Sequence, residues 1–511
     1  MSKRPYSTSL MLLTSAKIII NIEYTMSKYL YGAAVQGIQD FIFKTNELKH
    51  IVGASELVEQ ICTTAFDKLL EDVGVETGES VVRAAGNIKF IFDKVEDCQK
   101  VVRTFPKRVM TMAPGITISQ AVVTLDNDFA KAIDDIEALL KEQRNKPSRN
   151  VTSGLIGIKR SNNTGLPVTN IKKGVFQDDS TIQKEAYQDT KGLCEKSFGT
   201  GKLLTKRPAY DISDITDKND WIAIIHADGN GLGKVVQAVG KQKDVFREFS
   251  MQLDIATKEA AQKAFEAIES KFGDKKVIPI RPVVLSGDDM TVIIRGDLAI
   301  DYANAFISAF EKQTKAHLGD ILREQHVFAD DKDCLTACAG IAFIKSSYPF
   351  YYGYQLAEDL CGQAKKDTKS IHGAETNHLP SSCLMFHKVQ DSFIVDYKDI
   401  ERRELTTKDG LSFKAGPYYI HPQDSKNTVE DLAKASELLN SDNGDGIKSG
   451  IRNWVSLRIE DKNKAEQRKN RMLDIFAEGS VIKTLTCEDG NRCIAYDVLA
   501  YHTIMNQETN E

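Results

Sequence analysis

Two short stretches of this chain carry residues able to do metal and phosphate chemistry. Asp228-Gly229-Asn230 follows an apolar run, Trp221 to Ala227. Ser286-Gly287-Asp288-Asp289 sits between two further apolar runs, Val277 to Leu285 and Met290 to Arg295. Crowded carboxylates repel one another, so such a set calls for a cation. Hard oxygen ligands favour Mg²⁺ or Mn²⁺ completed by water and phosphate oxygens. Two such ions suit in-line displacement at phosphorus. Asp228, Asp288 and Asp289 are therefore the candidate metal-binding and catalytic residues. Gly287 permits the tight turn, and Gly229 lets a phosphate approach the backbone. Lys365 and Lys366 could each hold a phosphate as a point charge, and helical spacing leaves open which of them faces the site.

The surrounding elements decide whether the two turns meet. Trp221 to Ala227 reads as a strand, Phe246 to Phe272 as a helix, and the two runs around Ser286 to Asp289 as a hairpin. A helix over Ala299 to Leu318, a strand over Leu335 to Ile344 and a helix over Tyr354 to Lys366 follow. That order is β-α-β-β-α-β, the split ferredoxin-like pattern, which sets the first strand beside the hairpin. Alone, each turn is an ordinary loop sequence; at neighbouring strand ends they form one carboxylate cluster.

The same order occurs earlier in the chain. Tyr29 to Val35 reads as a strand and Ile38 to Leu70 as helical, with Gly53 and Ser55 at a close-packed turn. A hairpin over Ser80 to Phe92 turns at Ala85-Gly86-Asn87. A helix from Val95 is expected to stop at Pro106, and Ile116 to Leu125 is a strand. This unit has no acids at its hairpin turn. The fold class is α+β: two ferredoxin-like domains, an irregular insertion and a helical C-terminal region. The expected boundaries are 1–25 as an extension outside the fold, 26–144, 145–218 as a polar basic insertion, 219–390, and 391–511.

Composition narrows the classes. Over 511 residues, 41% are hydrophobic and 27% charged, enough for real cores. A net charge of −5 argues against a broadly basic nucleic-acid coat. Nine scattered cysteines with no C-x-x-C pair fit reduced thiols and a cytoplasmic setting. No apolar run is long enough for a membrane span. Gly231-Leu232-Gly233-Lys234 fails as a P-loop ending. Ser441 to Gly446 fails as a calcium loop, because Arg452 stands at its twelfth position. His226 reads as a packed residue.

The motifs resemble a known family. HADGNGLGK, LSGDDM and ACAGIAFIKSSYPFYYGYQLAEDLCGQAKK resemble the catalytic palm of the large subunit of type III CRISPR effector complexes, relatives of GGDEF cyclases. AAVQGIQDFIFKTNELKHIVGASELVEQ resembles that family's other palm. The resemblance implies a nucleotidyltransferase that joins ATP into cyclic oligoadenylate with two metal ions held by Asp228, Asp288 and Asp289. It also implies that Gly229, Asn230, Ser286 and Gly287 lie against the nucleotide, that the first unit is inactive, and that RNA and CRISPR effector subunits are partners. The chain departs from the family in having Asp-Gly-Asn for Asp-Gly-Asp, no His-Asp dipeptide and no zinc-finger cysteines between the palms. A divergent or stand-alone synthase is therefore expected. The alternative is a non-catalytic scaffold that binds nucleotide or RNA; a template-dependent polymerase fits the modest basic content less well.

Overall fold

A computed structural model describes residues 16–18, 28–84, 86–126, 128–146, 157–187, 190–216, 220–272, 276–328, 332–371, 378–390, 396–440 and 444–506. The chain divides into two compact units. The first comprises Met1–Phe41, Leu57–Gln183 and Gly240–Arg247; the second comprises Ile42–Glu56, Lys184–Val239 and Glu248–Glu511.

The first unit is built on a five-stranded sheet. Residues 16–144 hold β1 (Ala16–Ile18), β2 (Lys28–Gln36), α1 (Ile38–Phe43), α2 (Leu48–Ile61, assigned through Glu56 to the second unit), α3 (Thr64–Asp72), β3 (Glu79–Ala84), β4 (Asn87–Phe92), α4 (Val95–Met112), β5 (Thr117–Leu125) and α5 (Phe129–Arg144). The strand order is β1-β5-β2-β4-β3, so β2 to β5 have the split ferredoxin-like arrangement expected. β1 falls within the segment read as an extension. It pairs in parallel with β5, Ala16 opposite Gln120, and so occupies the outer edge of that strand. The rest of 1–25, and Ala85 at the hairpin tip, lie outside the described residues.

Pro106 does not stop its helix; α4 continues through it to Met112. A proline leaves the carbonyl four residues earlier without its helical partner. Here that carbonyl, on Val102, accepts from Gln120 Nε2 at 3.3 Å. Gln120 Oε1 accepts from the buried Tyr31 hydroxyl at 2.7 Å. Gln120→Ala should strip both groups of their partner and cost about 1–3 kcal/mol, read as a lower urea midpoint with an unchanged m-value.

The described part of the insertion holds regular elements. It holds a hairpin of β6 (Val168–Lys172) and β7 (Val175–Asp178), then α6 (Asp179–Ala186), α7 (Gly192–Phe198), β8 (Arg207–Pro208) and α8 (Ile212–Ile215). Its later part is tied down within the second unit. The Leu193 amide donates to Glu56 at 3.1 Å, and Arg281 donates to the Thr190 carbonyl at 2.6 Å. Gly53, expected in a turn, lies inside α2. A Cβ there would stand 1.9 Å from the Lys184 carbonyl oxygen, so close packing rather than turning fixes the glycine.

The second unit adds β9 (Trp221–Gly229), α9 (Leu232–Val239), α10 (Lys243–Ile268), β10 (Val277–Ile278), β11 (Ile280–Ser286), β12 (Asp289–Arg295), α11 (Ala299–Glu324), β13 (Ala337–Lys345), α12 (Phe350–Ser370) and β14 (Cys383–Lys388). The tail holds α13 (Tyr397–Glu404), β15 (Tyr418–Tyr419), α14 (Val429–Glu437), α15 (Gly444–Glu460), α16 (Lys462–Ile475), α17 (Gly479–Leu485) and α18 (Ala495–Met505). The sheet order is β11-β12-β9-β13-β14-β15. Its centre is buried on both faces: Ile222, Ile224 and Ile225 are all 0% exposed. Each such side chain contributes roughly 1.5–3 kcal/mol, so β9 is a rigid platform for what stands at its end. The tail is mainly helical as expected, except that β15 extends this sheet. The basic stretch from Gly450 is two helices, broken at Asp461, whose carboxylate caps α16. Among the described residues no helix is long and apolar enough to cross a membrane.

Candidate active site

Register brings the two acidic turns together. Asp289 on β12 stands opposite Asp228 on β9, and Ser286 opposite Asp289 within the hairpin. One carboxylate oxygen each from Asp228, Asp288 and Asp289 lies within 4.8 Å of the others. Among the described residues no other three metal-ligating side chains come this close.

The hairpin is tightly built. Gly287 takes a φ of +61° at its tip, a conformation that a side chain resists, and its carbonyl accepts from Thr257 on α10. Gly229 is also needed, for packing: a Cβ there would stand 2.7 Å from Cβ of Asp288.

The electrostatics are those of uncompensated negative charge. Burial pushes the Asp288 carboxyl well above the usual range, and Asp289 and Asp228 push it further. Asp289 rises to about 7, from burial first and the Asp228 charge second. Glu358 on α12 adds its charge to the same field.

Of the two lysines, Lys365 is the one at the cluster. Its ammonium group pairs with Asp228 and donates to the Gly229 carbonyl at 2.8 Å. Burial lowers its affinity for a proton, yet the charge and hydrogen bond of Asp228 prevail and hold it above its ordinary value. Lys366 is exposed. Asn230 is turned away from the carboxylates and is 1% exposed. Its amide donates to Thr336 Oγ1 at 3.1 Å and Cys338 Sγ at 3.4 Å. It braces the turn between β9 and α9. Ser286 is buried in the hairpin. His226 is packed as expected, its Nδ1 3.0 Å from Thr291 Oγ1 and its edge toward Tyr354. Burial lowers its pKa to about 4, so it is neutral near pH 7.

Thr257 and Thr336 are functional neighbours that the sequence pattern does not reveal. Each reaches the site from another element, and no local motif marks them. The placement of α12, which delivers Lys365, rests on Gly340 of β13. A Cβ there would stand 1.9 Å from the Ala357 carbonyl oxygen.

A ferredoxin-like sheet with a carboxylate cluster at the end of its first strand and on the adjoining hairpin defines a palm-type domain. Residues 221–371 match the family model of Cas10/Cmr2, second palm domain. Solved structures share its fold across both units. The Csm1–Csm4 cassette in complex with AMPPNP is 14% identical, covers 94% of this chain and 70% of that one, and gives a TM-score of 0.57. The cassette with cA4 is 13% identical, with 94% and 69% covered and a TM-score of 0.54. The cassette with pppApA is 14% identical, with the same coverage and TM-score. No curated protein sequence matches the chain.

Proposed function

We propose that this chain is a metal-dependent nucleotidyltransferase that joins ATP, or another nucleoside triphosphate, into a cyclic or short linear oligonucleotide signal. The observation that carries this reading is the convergence of Asp228, Asp288 and Asp289 within 4.8 Å. Three half-buried carboxylates with a single lysine are a donor set that fits hard divalent cations. Bound there, Mg²⁺ or Mn²⁺ would acidify an attacking hydroxyl and neutralise charge on the leaving phosphate. The reaction joins the 3′-oxygen of one nucleotide to the α-phosphorus of the next. It breaks the α–β anhydride bond and releases pyrophosphate and a proton.

The chain's own residues have separable tasks. The three carboxylates would hold the cations. Lys365 offers positive charge to phosphate oxygens, and its link to the Gly229 carbonyl fixes where that charge stands. Thr257 and Gly287 keep the hairpin rigid, so the carboxylates need not reorganise during the reaction. Support comes from the family model and from the ligands of the fold-sharing structures: AMPPNP, pppApA, cA3 and cA4 in Csm1–Csm4 cassettes. On this reading the chain serves CRISPR-type antiviral defence with RNA and effector subunits as partners.

The test is incubation of the purified protein with each NTP and Mg²⁺ or Mn²⁺, read by mass spectrometry. A cyclic or short linear oligonucleotide is expected. Tight ATP binding without pyrophosphate release, in either metal and with activating RNA present, would instead make the chain a binding scaffold. Lys365→Ala should raise KM for the triphosphate by roughly tenfold or more, as expected for a lost charge-assisted phosphate contact. Lys366→Ala should leave it unchanged.

A further inference from the structure

We propose that Cys338 and Cys383 form a covalent modification site: a thiol pair that hydrogen peroxide closes to a disulfide, loosening the turn that follows Asp228. The site stands apart from the proposed nucleotidyl transfer, because its readouts need neither turnover nor bound metal.

Strand register places the pair. Cys338 on β13 stands opposite Asp228 of β9 on one side and Cys383 of β14 on the other. Partners in register send their side chains to the same face of a sheet. Asp228, Cys338 and Cys383 therefore form one row across it. Neighbouring strands lie about 4.8 Å apart, inside the roughly 4.4–6.8 Å that a disulfide spans between Cα atoms. The two sulfurs are 3.6 Å apart. A shift of each by less than about 1 Å along the line joining them gives the bonded separation, near 2.05 Å. The neighbouring thiol of Cys361, on α12, is directed at main chain instead: it donates to the Cys338 carbonyl at 3.3 Å.

The chemistry balances with peroxide as the oxidant. One sulfur takes up an oxygen as the O–O bond breaks, becoming a sulfenic acid and releasing a first water. The second sulfur then attacks the first. The S–S bond forms, the S–O bond breaks and a second water leaves. The pair gives up two protons and two electrons, and the peroxide receives them. Proximity favours the second step, since the partner sulfur already stands beside the sulfenic acid and traps it. Burial governs the first step. Both cysteines are 0% exposed, so peroxide reaches them only in locally opened molecules. Cys487, which is exposed, must oxidise ahead of them.

Closure has a consequence for the palm. Cys338 Sγ accepts from the Asn230 amide at 3.4 Å, and the Cys383 thiol donates to the Ala364 carbonyl at 3.7 Å. The disulfide draws the first sulfur off Asn230 and leaves the second no proton to donate. Asn230 braces the turn between β9 and α9, and Ala364 precedes Lys365 on α12. Oxidation thus loosens the segments that carry Asp228 and Lys365.

The full-length protein is treated with hydrogen peroxide in metal-free buffer, quenched with N-ethylmaleimide in denaturant, digested and read by mass spectrometry. The expected product is a peptide pair joined through Cys338 and Cys383, two hydrogens lighter than its reduced parts and separated again by dithiothreitol. The link should form in Cys361→Ala and be missing from Cys383→Ala. Amides of 230–235 in the oxidised protein should exchange hydrogen roughly threefold to tenfold faster and recover on reduction. Peroxide-treated Cys383→Ala should show no such change. Free thiols at both positions in protein whose Cys487 is fully oxidised overturn the proposal. So does a link from Cys338 to Cys361, or a Cys338–Cys383 link that leaves exchange at 230–235 unaltered.

Discussion

Replacing Asp288 and Asp289 together by alanine should abolish oligonucleotide product, a loss of about 10³-fold or more, and should raise the melting temperature of the metal-free protein. The two effects share one cause. The carboxylates are held close to each other and to Asp228 by the hairpin register, and they stay there at an electrostatic cost. Both carboxyls titrate above the ordinary range, so the folded state binds more protons than the unfolded chain between about pH 4 and the raised values, near 7 for Asp289. Stability must then fall as pH rises through that window. The double variant should lose this slope. Divalent cation reverses the balance: millimolar Mg²⁺ or Mn²⁺ should stabilise the wild-type protein, as any ligand of the native state does, and leave the variant unmoved. Calorimetric scans at pH 5 and pH 8, with and without metal, check this without any turnover. Unchanged product formation in the double variant would remove the carboxylates from the chemistry.

The acidic turns were legible because their determinants are local. Apolar runs mark β9, β11 and β12, and the β-α-β-β-α-β order fixes which strands are neighbours. From that, Asp228 had to meet the hairpin. The choice between Lys365 and Lys366 was not legible. It depends on how α12 is rotated about its axis, which is set by the approach of Ala357 to Gly340 on another element. Pro106 misled for the same reason. A proline reads locally as a helix stop, yet Gln120, on β5, satisfies the carbonyl that Pro106 abandons. The polar composition of 145–218 suggested irregular loops; its later part is held instead by Glu56 and Arg281, distant in sequence and buried. Asn230 looked like a substrate contact by type, but Thr336, more than a hundred residues on, claims its amide. Local patterning thus gave the strands and the acids, while contacts distant in sequence decided which side chains reach them.

The same dependence on α12 yields a pair of opposite expectations from two glycines. Gly340 sits on β13 against α12, where an added Cβ would stand 1.9 Å from the Ala357 carbonyl oxygen and 2.4 Å from the Cys361 amide nitrogen. Both are backbone atoms and cannot rotate away. Gly340→Ala must therefore push α12 off the sheet or bend the strand, at a cost of about 3 kcal/mol or more. Lys365 rides on α12, so the variant should also pull the ammonium from Asp228 and the Gly229 carbonyl. Product formation should fall although no polar residue of the site has been altered. Gly362 lies on the same helix with nothing within 4 Å of its notional Cβ. Gly362→Ala should stabilise the protein by about 0.5–1 kcal/mol through helix propensity alone, with activity retained. The comparison separates helix stability from helix position. If activity followed stability alone, the two variants would bracket the wild type in both. If position governs, Gly340→Ala loses activity out of proportion to its folded fraction, and added triphosphate restores little of it. Denaturant curves and product yields on both proteins distinguish these outcomes. Equal specific activity per folded molecule in Gly340→Ala and wild type would mean that Lys365 need not be held where α12 now places it.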